Sequence, residues 1–424
     1  MSAARRRDVG ATPRPRVVIV GAGFGGLRAA KGLQGAPVDV TLLDQHNYHT
    51  FIPLLYQVAT AGLEPEAIAQ PIRRIVRAQN LRFHLARVNG IDLDRSEVTT
   101  DAGAFGFEYL VLAAGSVTNF FGMDSVAGAA VGLRDLDDAE LVRDRVLGAF
   151  EEATMETDEE KRRDLMTIVV VGGGPTGVET AGALSELRKH VLPRDYPDLD
   201  VGAARIVLLE AADRLLLGMH EAMYRNALRK LAEMGVEVRL NAAVAHADER
   251  GVTLRTGERI EAGAVIWVAG LQASPLAQAM PGSTARAGRL VVEETLQLPG
   301  YPNIYAVGDM VHVGVAEGRP HPMLAPVAIQ QGDLVAENIR RQLAGRRLQR
   351  FRYKDRGTMV TIGRQAAVAR VYGLRFSGFI AWVMWLTVHL VWLIGFRNRA
   401  LVLVNWAWNY FTYERGVRLI RRRR

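Results

Sequence analysis

The sequence contains no cysteine. That excludes structural disulfides, thiolate metal sites, cysteine nucleophiles and any redox-active dithiol, because each needs a sulfur that can pair or ionise. The N-terminus lacks an apolar core segment: residues 1–16 hold five arginines, Pro13 and Pro15. This is the pattern of a flexible basic tail on the cytoplasmic side, not of a secretory signal. Net positive charge is lacking elsewhere. Of the net +8, residues 397–424 carry +7 and residues 1–16 carry +4, which leaves about −3 for everything between. A nucleic-acid-binding domain needs its basic residues on a folded face, so no nucleic-acid partner is expected. Metal-ligating clusters are also thin. His46 and His49 stand three apart, but no third suitable ligand lies nearby and Pro53 follows, so no metal site is expected. At 424 residues the chain is too long for one compact core, and two or three domains are expected.

What is present is organised around residues 17–44. Val17, Val18, Ile19 and Val20 favour a buried parallel strand, which runs into Gly21-Ala22-Gly23-Phe24-Gly25-Gly26, a helical stretch to Leu33 and a second apolar run ending on Asp44. A pyrophosphate can sit on the unpaired N–H groups where such a helix begins, and Asp44 at the strand tip can accept hydrogen bonds from a ribose diol. The alternative is a glycine-rich turn needed only for close packing. Strand patterns follow near residues 81–85 and 97–100. The strand from Tyr109 closes on Ala114-Gly115-Ser116, small residues that let backbone approach a flat ligand. Residues 135–164 alternate charged and apolar positions and read as a domain crossing.

The pattern then recurs. A β-branched strand over 167–171 enters Gly172-Gly173-Gly174-Pro175-Thr176-Gly177 and a helix over 178–190, and a later strand ends on Glu210, 33 residues past Gly177. A carboxylate there repels a 2′-phosphate, which favours NADH over NADPH. Each strand-turn-helix cradles one pyrophosphate, so two such units imply two dinucleotides. A strand over 264–268 ends on Ala269-Gly270. The first domain resumes near Asn303 and reaches Gly308-Asp309, an acid placed to bond a ribityl hydroxyl or else a simple strand-terminating turn.

The paired fingerprints and Gly308-Asp309 resemble the two-dinucleotide flavoproteins. The fuller pattern adds Asn47-Tyr48-His49, the run from Pro53 through Tyr56-Gln57 to Thr60, Ala325-Pro326, Gln330-Gln331-Gly332, Tyr353-Lys354-Asp355 and Thr361-Ile362-Gly363. It resembles the type II NADH:quinone dehydrogenases over about residues 16–415. The resemblance implies an α/β fold of two doubly wound, Rossmann-like nucleotide-binding domains plus a C-terminal helical membrane-binding region. The expected division is a tail over 1–15, an FAD domain over 16–130 and 296–350, an NADH domain over 131–295 and an anchor over 351–424.

The resemblance places FAD on Gly21, Ala22, Gly23, Phe24, Gly25, Gly26, Asp44, Gln45, Val88, Ala114, Gly115, Asp309, Ala325, Pro326 and Lys354. It places NADH on Gly172, Gly174, Pro175, Thr176, Gly177, Glu210, Ala269 and Gly270. Gln330, Gln331 and Pro326 are expected at the quinone, with Pro326 standing where the family most often has a first glutamine; glutamines capping a helix that begins near Pro326 are the alternative. Glu179, in the first turn of its helix, is expected to handle or position a proton, or else is only a helix N-terminal charge. Lys354 either stabilises negative charge near the reduced flavin or is a surface lysine.

Flavin and nicotinamide carry the redox chemistry, so the protein need supply only binding and orientation, which suits a chain without thiols. The same absence argues against disulfide reductases and sulfide:quinone reductases. The expected activity is electron transfer from NADH through FAD to a respiratory quinone, without proton pumping. The alternatives are an FAD-dependent NADH reductase of a small carrier protein and a membrane-tethered redox sensor. A homodimer is among the expectations.

Residues 376–396 carry no formal charge over 21 positions, long enough to span a bilayer. Arginines flank them on both sides, so one crossing would export a cationic tail against the positive-inside bias. Trp382, Trp385, His389, Trp392 and Phe396 recur at three and four residues, a face suited to the headgroup boundary. Trp406, Trp408, Tyr410 and Phe411 follow, and the arginines over 415–424 can attract anionic lipid. The expectation is a monotopic two-helix anchor over 376–424 on the cytoplasmic face of the cell membrane, with a spanning helix near 376–396 as the alternative. Quinone would then enter from the bilayer.

Overall fold

The structure, a computed structural model, describes residues 14–314, 320–412 and 415–421. Most of the basic N-terminal tail, Glu414 and Arg422 to Arg424 lie outside the described residues. The chain forms two compact units: residues 1–49, 71–116 and 272–353 make the first, and residues 50–70, 117–271 and 354–424 the second.

In the first unit a six-stranded sheet has the spatial order Gln297–Leu298, Tyr301–Ala306, Tyr109–Leu112, Arg16–Val20, Asp39–Asp44, Leu81–Leu85. All pairings are parallel except that of the short edge strand Gln297–Leu298. Val17, Val18, Ile19 and Val20 are buried, as β-branched residues of a parallel sheet covered on both faces should be. Helix Phe24–Gly32 packs on helix Ala325–Leu343. Their close approach depends on Gly332, where a Cβ would overlap the Gly25 carbonyl oxygen.

The second unit repeats the plan. Five parallel strands run in the order Val131–Gly132, Ala264–Trp267, Ile168–Val171, Ile206–Leu209, Val236–Arg239. Helix Pro175–His190 follows the glycine turn. Residues 135–164 are not a crossing but two helices inside this unit. Leu136–Met155 buries Ala139, Val142, Val146, Ala149, Phe150 and Ala153, whose helical spacing makes one apolar face.

Between Tyr353 and the C-terminus lie an antiparallel sheet, Gly357–Gly363, Ala366–Val371 and Leu374–Ser377, and two helices, Gly378–Trp392 and Phe396–Thr412. Amides fix the last helix to residues 50–70. Asn398 Nδ2 lies 3.1 Å from each of the Glu66, Ala67 and Ala69 carbonyl oxygens, Trp406 Nε1 donates to Gln57 Oε1 at 2.8 Å, and Asn409 Nδ2 to the Gly62 carbonyl at 3.1 Å. These bonds explain why residues 50–70 and 354–424 fall in one unit, a grouping that the sequence-based boundaries do not have.

Residues 376–396 are not one helix. The first two finish a strand, the helix covers Gly378–Trp392, and the chain turns at Gly395 with φ +91°. Arg399 closes that turn by donating to the carbonyls of Val391 and Leu393 at 2.6 and 2.8 Å. Among the described residues no helix is long and apolar enough to cross a membrane.

Gly182, inside helix Pro175–His190, is buried where a Cβ would overlap the Ile362 carbonyl oxygen. Alanine normally strengthens a helix interior by about 1 kcal/mol over glycine, but forcing atoms into a filled site costs ~1–3 kcal/mol. Gly182→Ala is therefore expected to lower the melting temperature; a rise would show that the strand Gly357–Gly363 does not press on this helix.

Candidate functional site

Both glycine turns have the same geometry. Gly21 and Gly172 adopt φ +100° and +115°, which a Cβ-bearing residue rarely reaches. A Cβ at Gly21 would overlap the Ala113 carbonyl oxygen, and one at Gly172 would lie 2.6 Å from Ala269 Cα. The small residues that end the neighbouring strands are thus where the backbones meet. Gly23 and Gly174 stand at the N-caps of helices Phe24–Gly32 and Pro175–His190, and neither helix start has a side-chain cap. A Cβ at either glycine would meet nothing within 4 Å. Uncapped N–H groups with open space before them suit a pyrophosphate.

The strand-tip acids are engaged in the same way at both turns. Asp44 Oδ2 accepts from Ala22 N at 2.6 Å and Oδ1 from His46 N at 2.8 Å; Glu210 Oε2 accepts from Gly173 N at 2.6 Å and Oε1 from Ala212 N at 2.8 Å. Burial raises the Asp44 pKa despite these bonds.

His49 is buried, with Nδ1 2.9 Å from the Ala22 carbonyl oxygen and its ring edge-on to Phe24 at 5.0 Å. Burial lowers its pKa, so a neutral imidazole donates Nδ1–H and steadies the glycine turn. Among the described residues no three His, Asp or Glu side chains are grouped to hold a metal.

The expected FAD contacts 21–26, Asp44, Gln45, Val88, Ala114, Gly115, Asp309, Ala325 and Pro326 belong to the first unit, and the expected NADH contacts Gly172, 174–177, Glu210, Ala269 and Gly270 to the second. Asp309 Oδ2 accepts from Ser116 Oγ at 2.8 Å. Lys354 is the first residue of the second unit's last segment. Gln331 is fully enclosed, its Oε1 accepting from Gly308 N at 2.6 Å, so it holds the turn that carries Asp309. Pro326 and Gln330, four apart on helix Ala325–Leu343, are half-buried.

The second unit contains a cavity of about 560 Å³. Glu179 opens onto it, as do Tyr56, Gln57, Trp385, Glu186 and Arg415. Glu179 is half-buried by surface area and lines this half-open cavity. Burial pushes its carboxyl up to about 8, and the Thr361 N–H, 3.3 Å from Oε1, and the Trp385 indole lower it by less. The indole Nε1 has no acceptor at hydrogen-bonding distance, so it acts on Glu179 more as a nearby dipole than as a bonded donor.

Curated relatives decide the family. The chain matches the pyridine nucleotide-disulphide oxidoreductase family over residues 15–332. It is 41% identical over 419 residues to the type II NADH:quinone oxidoreductase Ndh of Mycobacterium tuberculosis, covering 95% of this chain and 89% of that protein. The chain belongs to the type II NADH:quinone oxidoreductases.

A second member of that family, from Staphylococcus aureus, is 31% identical over 376 residues, 87% of this chain and 92% of the relative. Among solved structures, NDH2 from Plasmodium falciparum in complex with NADH superposes with a TM-score of 0.87 at 19% identity, over 96% of this chain and 100% of that one. The sulfide:quinone oxidoreductase of Aquifex aeolicus follows at 0.69 and 18%, over 94% and 95% of the two chains. At these identities the two structures share the fold. The cysteine-free sequence sets this type II chain apart from sulfur chemistry.

Two expectations about the C-terminus are corrected. The stripe Trp382, Trp385 and His389 packs on protein: Trp385 is 1% exposed, stacks on His389 at 4.1 Å and lies 5.8 and 6.4 Å from the Trp406 and Tyr56 rings. Trp382 lies 5.9 Å from Tyr410. Large rings gain most by burial, so they mark the inward face of this helix. The described tail arginines are not free for lipid either. Arg415 reaches Glu186 at 3.3 Å, Arg418 reaches Asp195 at 2.8 Å, and Arg421 reaches Glu140 at 2.9 Å. Tyr56, Gln57, Glu186 and His190, which line the cavity, had no assigned role from sequence. The spacing of Glu186 and His190 at 7 and 11 residues past Glu179 was the signal available for two of them.

Two outcomes follow. NADH should be preferred over NADPH, and Glu210→Gln should narrow that preference in kcat/KM by about tenfold, or ~1.4 kcal/mol; an unchanged ratio removes Glu210 from cofactor choice. For Glu179 the pKa rises on folding from 4.5 to about 8. Its contribution to stability is therefore complete below the unfolded value and is lost as pH rises through the folded one. Glu179→Gln abolishes this loss, so its melting temperature should exceed that of the parent by more at pH 8 than at pH 5. A difference independent of pH would show an ordinary carboxylate.

Proposed function

We infer that the protein oxidises NADH and passes the electrons, by way of bound FAD, to a quinone, without moving protons across a membrane. The observation that carries this reading is the pair of uncapped, glycine-entered helix starts, each with a strand-tip acid, in a chain whose curated relatives are type II NADH:quinone oxidoreductases. FAD supplies the electron relay when bound.

The chain's own residues supply the rest. Residues 21–26 and Asp44 hold one dinucleotide, with Asp309 on the flavin's ribityl chain; residues 172–177 and Glu210 hold NADH. Glu179, protonated near neutral pH, holds the proton that quinone reduction needs. Pro326 and Gln330 border the quinone head, Gln331 supports them from within, and Lys354 offsets negative charge near the reduced flavin.

The membrane surface is the second part of the reading. Among the described residues, eleven of the seventeen exposed large apolar side chains lie between Tyr372 and Phe411, including Phe379, Ile380, Val391, Phe396, Leu403 and Trp408. So dense an apolar surface marks an interaction site, and the bilayer that dissolves the quinone is the partner that fits it. We place this face on the cytoplasmic leaflet. Deleting residues 374–424 would also remove Trp385 and Trp406 from the cavity wall, so point substitutions are the cleaner probe. The homodimer rests on the resemblance alone and is read from the sedimentation mass of detergent-solubilised protein.

Purified protein should be yellow, lose its visible absorption on anaerobic addition of NADH and regain it with a short-chain quinone. Slow or absent recovery would favour the redox sensor. Replacing Phe379, Ile380 and Phe396 together by serine should abolish flotation with anionic vesicles while water-soluble quinones are still reduced. Unchanged flotation would move the docking face elsewhere.

A further inference from the structure

The glycine turn over 172–177 and Glu210 account for only part of a dinucleotide. In the second unit the strand Ile168–Val171 has Ile206–Leu209 on one side and Ala264–Trp267 on the other. The strand order reverses between Ile168–Val171 and Ala264–Trp267, and an open parallel sheet binds its ligand at such a reversal, beyond the carboxyl ends of the strands. With the adenosine ribose on Glu210 and the pyrophosphate on the turn, the nicotinamide half has to extend over the end of Ala264–Trp267. That end continues as Val268-Ala269-Gly270, and it touches the turn: a Cβ at Gly172 would lie 2.6 Å from Ala269 Cα.

Phe121 stands over this strand end. Its ring lies against Gly270, where a Cβ would come within 2.7 Å of Phe121 Cζ, and it meets the Trp267 ring at 6.4 Å in a T-shaped arrangement. The side chain is nevertheless 59% exposed, and its backbone is in the left-handed region, at φ +54°. A bulky residue enters that region only where its surroundings hold it there. Exposure and strain both count against phenylalanine at this position. Several bonds maintain it all the same: Asn119 N donates to the Gly270 carbonyl at 3.0 Å, Trp267 Nε1 to the Asn119 carbonyl at 2.9 Å, and Phe121 N to Asn119 Oδ1 at 2.8 Å. Packing of the turn does not require the exposed ring. Phe120, 6.1 Å from Trp267, and Met123 already anchor the segment on the core cluster that includes Val171 and Trp267. A strained residue fixed by independent bonds beside a ligand crevice is where conformation serves binding.

We propose that Phe121 is a binding residue for NADH, its ring packing against the nicotinamide ring and setting how that ring lies beyond the end of strand Ala264–Trp267. This rests on the reading that the second unit holds NADH on Glu210 and the glycine turn. An aromatic ring offers a flat apolar surface to a flat ligand, and its face also attracts the cationic ring of NAD+. Glycine at 270 is what lets the Phe121 ring come down onto the strand end, since any Cβ there would push it away. The contact makes and breaks no covalent bond; it contributes affinity and orientation.

The test compares NAD+ with ADP-ribose, which lacks only the nicotinamide ring, by calorimetric titration of the FAD-loaded full chain. Phe121→Gly suits the left-handed backbone without strain, and its ADP-ribose affinity reports that the turn is intact. This variant should bind NAD+ about tenfold more weakly and ADP-ribose as the parent does. Phe121→Tyr, which keeps the ring, should bind both ligands within about twofold of the parent. Parental NAD+ affinity in Phe121→Gly, or equal weakening of the two ligands, would overturn the proposal, the second result showing a ring that only supports the turn. A parent protein that binds neither ligand would instead sink the underlying reading, and the role of Phe121 with it.

Discussion

The second unit's chemistry depends on keeping the Glu179 carboxyl out of water. Glu179 lies just past the first turn of its helix, where the ~0.3–1 kcal/mol that the helix dipole gives a carboxylate has largely faded. Burial acts against ionisation and wins. Each tenfold change in acidity is worth about 1.4 kcal/mol, so a pKa brought from 4.5 to about 8 reflects a disadvantage of the ion several times larger than the dipole can offset. The result is an acid that holds its proton at neutral pH and releases it only when a stronger claim appears. That is the property a donor to a reduced quinone needs, and it follows from the desolvation of the carboxyl among mostly apolar walls.

The two glycine turns show how the same local physics serves two ligands. Each positive-φ glycine brings its loop against the small residue ending a neighbouring strand, and each strand-tip acid clamps a loop amide. Asp44 holds Ala22 N and Glu210 holds Gly173 N, both at 2.6 Å. The carboxylates therefore orient the loops before any dinucleotide arrives. His49 adds a support on the first turn through its bond to Ala22, a local role for a residue to which the sequence assigned no metal.

Much of this was legible in the chain. Runs of β-branched residues ending in glycine specify strand, turn and helix because neighbours along the sequence determine that geometry. Glu179 stood out because it follows the turn by two residues. The cavity was not legible, because its walls come from residues about 350 apart: Gln57 and Trp406 meet only once the chain is folded, and Arg415 reaches back to Thr60 and Glu186. The aromatic stripe at Trp382, Trp385 and His389 was visible as a helical face, but periodicity alone does not distinguish a face turned to lipid from one turned to protein. The tail arginines misled for the same reason, since their carboxylate partners Asp195 and Glu140 lie more than 200 residues away.

The protonation state of Glu179 in the folded, flavin-loaded protein tests this account most directly. Difference infrared spectra against Glu179→Gln, recorded across pH, should show a protonated carboxylic acid C=O band at pH 7 that disappears with a midpoint near 8. A band already absent at pH 6, the signature of an ordinary ionised glutamate, would contradict it.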